Sequence, residues 1–137
     1  MAVVEELLRS EADGTISFGN HKLAHKSKVE DYRHAGDLLK VKTYKDITKL
    51  EKNGMFLYES VPGTSVLEFR ETAEGVEFVV EADEDVQITL GLMDETEYEV
   101  FVSGKSTGIM KTGLSGKLSL SVELEAAGEV EVKIVKA

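Results

Sequence analysis

The chain has no cysteine, no tryptophan and only one proline. Without cysteine it can form neither a disulfide nor a thiolate metal site and has no sulfur nucleophile, a pattern that accords with a reducing compartment. Without tryptophan, an exposed aromatic platform of the kind carbohydrate-binding sandwiches use has only five Phe and four Tyr to draw on. No apolar run approaches the roughly 20 residues that a membrane-spanning helix needs. The segment Met1-Ala2-Val3-Val4-Glu5-Glu6 has neither a positive n-region nor a long apolar core. The chain therefore reads as cytoplasmic, with no membrane among its partners.

Positive charge is also in short supply: the formal net charge is −10. That excess repels phosphate backbones at long range, so nucleic acid is not an expected partner. The distribution is uneven. Residues 21–52 hold nine Lys or Arg (Lys22, Lys26, Lys28, Arg33, Lys40, Lys42, Lys45, Lys49, Lys52) against five acids, whereas residues 53–137 hold 17 acids against six bases. A basic segment thus adjoins an acidic body. Either the two neutralise each other within or between subunits, or the segment presents an anion-binding surface.

What the sequence has in abundance is alternation. From Val76 to Leu92 apolar residues take nearly every even position (Val76, Phe78, Val80, Ala82, Val86, Ile88, Leu90, Leu92), while Glu77, Glu81, Asp83, Asp85, Gln87 and Thr89 take odd ones. A period of two is the mark of half-buried strands, with Asp83-Glu84-Asp85 expected to reverse the chain between two antiparallel partners. Further strands are expected at 15–18, 38–44, 47–52, 55–59, 65–71, 97–103, 107–111, 117–124 and 129–135. Asn53-Gly54 tolerates positive φ at both positions and suits a two-residue hairpin turn of type I′. Val61-Pro62-Gly63-Thr64 marks a corner. Residues 3–9 fit a short helix and fit equally a strand leading to Asp13-Gly14. The lysine-rich stretch 21–36 is the least core-like, and reads as an exposed edge strand followed by a loop. The expected fold is one all-β domain over residues 1–137, an antiparallel β-sandwich or jelly roll, with at most one short N-terminal helix.

Catalytic signals are sparse. Ser103-Gly104-Lys105-Ser106-Thr107 ends like a phosphate-binding loop, but Glu99 stands where the first glycine belongs and strands follow where a helix should, so it reads as a hairpin tip. No Gly-x-Ser-x-Gly occurs. Acid-rich stretches at 81–85 and 94–97 lack the glycine and spacing of an EF-hand and read as solvated turns. His21, His25 and His34 share one segment with Asp31 and Asp37, a set of imidazoles and carboxylates that could hold zinc, although the neighbouring ammonium groups oppose cation binding. Most aromatic residues (Phe56, Tyr58, Phe69, Phe78, Tyr98, Phe101) fall within strands as core. Tyr32 and Tyr44 are left, with Arg33, Lys40, Lys42, Lys45 and Lys49, as a candidate ligand or partner surface.

The run Gly36-Asp37-Leu38-Leu39-Lys40-Val41-Lys42-Thr43-Tyr44 through Tyr58-Glu59-Ser60-Val61-Pro62-Gly63-Thr64 resembles short bacterial chains that carry an endosialidase-type label. The resemblance brings no catalytic motif, and the arginine cluster that a sialate carboxylate requires is lacking. Gly91-Leu92 through Thr96-Glu97-Tyr98-Glu99-Val100 is similar to a two-strand pattern of fibronectin-type modules, which implies a sandwich. No catalytic residue and no cofactor is expected. The sequence points to a non-enzymatic module for self-assembly, as a homo-oligomer, or for binding a protein partner, with association through residues 21–52. The alternatives are a carbohydrate- or anion-binding module on that same segment and a small metal-dependent enzyme at the histidines.

Overall fold

The computed structural model describes residues 3–137. Thirteen strands follow one another: β1 (Leu8–Ser10), β2 (Ile16–Phe18), β3 (Ser27–His34), β4 (Asp37–Tyr44), β5 (Ile47–Lys52), β6 (Met55–Val61), β7 (Ser65–Thr72), β8 (Gly75–Glu81), β9 (Val86–Gly91), β10 (Glu97–Val102), β11 (Lys105–Lys111), β12 (Lys117–Val122) and β13 (Glu129–Lys136). They form two antiparallel sheets, one of seven strands in the order β1-β2-β7-β8-β13-β10-β11 and one of six in the order β12-β9-β6-β5-β4-β3. This is the expected β-sandwich. No helix occurs among the described residues: residues 3–7 lead through a turn at Glu5-Glu6 into β1, which takes up Leu8 and Arg9. None of these elements is a helix long and apolar enough to cross a membrane.

Alternation builds the core as expected. Val76, Phe78, Val80, Ala82, Val86, Ile88 and Leu90 are all buried, and they meet Leu118, Leu120, Val122, Val130, Val132 and Ile134. At one end Phe18, Tyr58, Phe69 and Phe78 pack ring against ring, with centroids 5.2 to 5.7 Å apart for Phe18–Tyr58, Tyr58–Phe78 and Phe69–Phe78. Such offset and edge contacts favour aromatic pairs beyond their buried area. Phe56 and Phe101, expected in the core, are only half-buried. Phe56 faces outward because a bulge between β5 and β6 sets it opposite Glu51, and Phe101 lies opposite Lys133.

Two expectations about the central stretch need correction. The acids at 83–85 do not join paired strands: β8 pairs with β7 and β13, while β9 pairs with β6 and β12, so the chain crosses from one sheet to the other there. Both strands alternate, but their apolar faces meet across the sandwich rather than side by side. Glu81, expected on the wet face, is buried at this crossing, opposite Ser65 of β7. The loop carrying His21 packs onto Ser65 and Asp83 at the same place.

The stretch 21–36 is an edge as expected, but in the reverse sense, since a loop precedes the strand and β3 closes directly onto β4 through Ala35-Gly36. On this side of the sandwich the edge strands β1 and β3 of opposite sheets are tied together. Ser10 N–H donates to the Tyr32 hydroxyl at 2.9 Å, and the Ser10 hydroxyl lies 2.8 Å from His34 Nδ1. His34 Nε2 donates to the Gly14 carbonyl at 3.1 Å. A carbonyl can only accept, so the neutral ring carries its proton on Nε2 and Nδ1 accepts from Ser10.

A lysine-lined face as the candidate functional site

The outer face of the six-stranded sheet carries the basic segment. Along β4 the inward residues Leu39, Val41 and Thr43 are buried, so Leu38, Lys40, Lys42 and Tyr44 project the other way. Lys49 and Glu51 project likewise from β5, opposite Lys42 and Lys40. On β3, Lys28 stands opposite Lys42 and Arg33 opposite Leu38.

One cross-strand row therefore runs through all six strands: Ser119, Thr89, Glu59, Lys49, Lys42, Lys28. Neighbouring strands lie about 4.8 Å apart, so three ammonium-bearing stems stand side by side at that spacing. Like charges directly opposite one another destabilise a sheet. Only part of this charge is neutralised. Lys28 lies 3.1 Å from Glu30 and Lys49 lies 3.8 Å from Glu51. The Glu30 carboxyl is held below its ordinary pKa, first by its hydrogen bond from Lys28 and then by the charges of Lys28 and Lys40. No carboxylate lies within ion-pairing distance of Lys26, Lys40 or Lys42 among the described residues. Lys26, Lys28, Lys40, Lys42, Lys49 and Glu51 line a depression of about 330 Å³.

Of the residues expected to form this surface, Arg33, Lys40, Lys42, Tyr44 and Lys49 share the outer face. Lys45 sits at the exposed β4–β5 turn beside it. Tyr32 does not belong to it: opposite Leu39 on the inward side, it packs against the core and its hydroxyl is bound to Ser10. Lys28 is the residue the sequence does not place there. Counted back from the Ala35-Gly36 turn, an unbroken ladder would set Lys28 opposite Thr43, facing inward. A bulge between Val29 and Tyr32, with Asp31 at φ 55°, shifts the pairing by one and turns Lys28 outward.

The three histidines are not drawn together. His21 is buried, its Nδ1 2.8 Å from the Ser65 hydroxyl and its Nε2 3.8 Å from Asp83 Oδ2, too long for a hydrogen bond. His25 is exposed, and His34 belongs to the Ser10 clasp with both ring nitrogens engaged. No group of three or more His, Asp or Glu among the described residues is placed to hold a metal ion. Ser65, His21 and Asp83 include the residue types of a hydrolytic triad, but Ser65 is fully buried and out of a substrate's reach.

The chain matches no protein-family model, no curated protein and no solved structure. The reading of function accordingly rests on the lysine face itself.

Proposed function

We propose that the protein is a non-enzymatic binding module whose lysine-lined sheet face takes an acidic segment of a protein partner. The observation that carries this reading is the row Lys28–Lys42–Lys49, three like charges on adjacent strands over a depression that also gathers Lys26 and Lys40. The arrangement costs folding energy in the free protein, and an anionic partner would remove that cost. Exposed ion pairs are worth roughly 0.2 to 1 kcal/mol each, so useful affinity requires several together.

This face is assigned to a partner and not to self-association through residues 21–52. Stacking the lysine face of one copy on the acidic surface of the next is a head-to-tail contact, which gives a ring or an open filament and not the two-fold dimer that is commonest among oligomers. A second reading, an anionic carbohydrate on the same face, is favoured by Tyr44, which projects on that face two residues from Lys42.

Titration calorimetry with a hexaglutamate peptide at two salt concentrations tests the first reading. Binding is expected at low salt, weakening steeply as salt rises and lost in the variant Lys40→Glu/Lys42→Glu/Lys49→Glu. Absence of peptide binding together with retention of acidic glycans on an array would replace the first reading by the second. Identical behaviour of the variant and the unmodified chain would remove both.

A further inference from the structure

At the far end of the sandwich from β3, seven strands stand against six, and β11 is the one left over. Every residue from Lys105 to Lys111 is exposed. Tyr98 and Val100 of β10 face the core, so Met110 and Gly108, their cross-strand partners, lie on the inward side of β11, yet the exposure of both shows that the opposite sheet does not cover them. Ile109, opposite Glu99, lies on the outward side and is 61% exposed. The strand has no proline, and the register shift between Val100 and Phe101 falls at Thr107, leaving Gly108 to Lys111 in regular register with β10. Its outer edge is a row of backbone donors and acceptors open to another strand. Next to it the loops 92–96 and 112–116 are fastened together, Glu95 N–H to the Gly113 carbonyl at 3.0 Å and Thr96 N–H to the Thr112 hydroxyl at 2.9 Å. They hold Met93 and Leu114 out at 55% and 83% exposure.

We propose that β11 pairs antiparallel with β11 of a second copy about a two-fold axis at Ile109. The chemistry of the strand selects that register. An axis at Gly108 would set Lys105 against Lys111, two like charges at each end. An axis at Ile109 sets Ile109 against its counterpart, Thr107 against Lys111, and Gly108 against Met110. Because Gly108 has no side chain, each Met110 has room to cross the partner strand toward the partner's Val100, covering part of the inward side that lacks an opposite strand. Past the paired segment, Lys105 of each copy runs toward the loop that carries Asp94 and Glu95 of the other, so opposite charges meet twice. The contact is isologous and closes. It joins two seven-stranded sheets into one and leaves both lysine faces, at the other end of the molecule, open. It does not rest on the partner-binding reading of those faces.

Sedimentation equilibrium at increasing concentration is expected to show a dimer at micromolar concentration that Ile109→Lys converts to monomer without changing the circular dichroism spectrum or the denaturation midpoint. Lys105→Glu should raise the dimer dissociation constant about tenfold, with recovery when Glu95→Lys is added. The chain has no cysteine of its own, so Ile109→Cys supplies a single thiol. Directly opposed residues in an antiparallel pair have Cα atoms about 4.5 to 5.5 Å apart, within disulfide range. Air oxidation should cross-link it far faster than Met55→Cys, an exposed control at the start of β6. A monomer at hundreds of micromolar would overturn the proposal. Equal cross-linking of the two thiol variants would overturn it as well.

Discussion

Burial lowers the pKa of His21 below its ordinary value; the Asp83 carboxylate opposes this and the Lys22 ammonium adds to it. Glu81 lies on the adjacent strand, opposite the Ser65 whose hydroxyl the ring meets. In the unfolded chain the imidazole titrates at about 6.5. Between that value and the lower folded one, the unfolded state binds more protons, so stability falls as the pH drops through this window and is fully present above it. Urea denaturation at pH 7.5 and at pH 5.5 should show the loss in the unmodified protein and a smaller one in His21→Gln. Equal losses in both would place the proton uptake at another group. The paired carboxylates Glu11, Asp13 and Asp83, all shifted below their ordinary values by hydrogen bonds, lose their contribution only at more acidic pH. Nothing in the spacing of His21 from His25 foretold this environment, because Ser65 and Asp83 are more than forty residues away in sequence.

Turns were the most legible elements. Asn53 and Gly54 have φ of 53° and 78°, the two positive values a type I′ turn requires, and Ala35-Gly36 and Ser103-Gly104 repeat the pattern. A methyl group at Gly54 would meet no neighbour, so Gly54→Ala should cost only the backbone strain of that conformation, about 1 to 2 kcal/mol. Gly63, in the corner after Pro62, differs in kind. The Tyr44 carbonyl occupies the space a methyl group would need, and its φ lies outside the left-handed region. Gly63→Ala should therefore lower the denaturation midpoint more than Gly54→Ala; the reverse order would show that the β4–β5 turn yields without cost. Bulges were not legible. Those between Val29 and Tyr32, between Leu50 and Glu51, and between Leu67 and Arg70 each change which side chains face out, and no residue type announces where a ladder will skip.

For the molecule as a whole, charge is laid out by sheet as well as by segment. The lysines of residues 21–52 concentrate on one face of the six-stranded sheet, and relief of their repulsion gives a test that links stability to binding. In Lys42→Glu the central member of the row would pair with Lys28 on one side and Lys49 on the other. Replacing two repulsive neighbours by two attractive ones at roughly 0.2 to 1 kcal/mol each should raise stability by about 0.5 to 2 kcal/mol. The same change should weaken peptide binding. A variant no more stable than the unmodified protein in low salt would mean that the three ammonium groups splay far enough apart not to interact.

The sequence by itself determined that the chain is dominated by strands, where most strands lie, and which apolar side chains on the central strands enter the core, because a period of two and a turn dipeptide act over a few residues. Only the tertiary structure decided that β8 and β9 belong to different sheets, that Glu81 and His21 are buried, and that Lys28 joins Lys42 and Lys49 in one row. Strand order and bulge position depend on the best joint burial of all apolar faces, a property of the folded whole that alternation within a single strand does not encode.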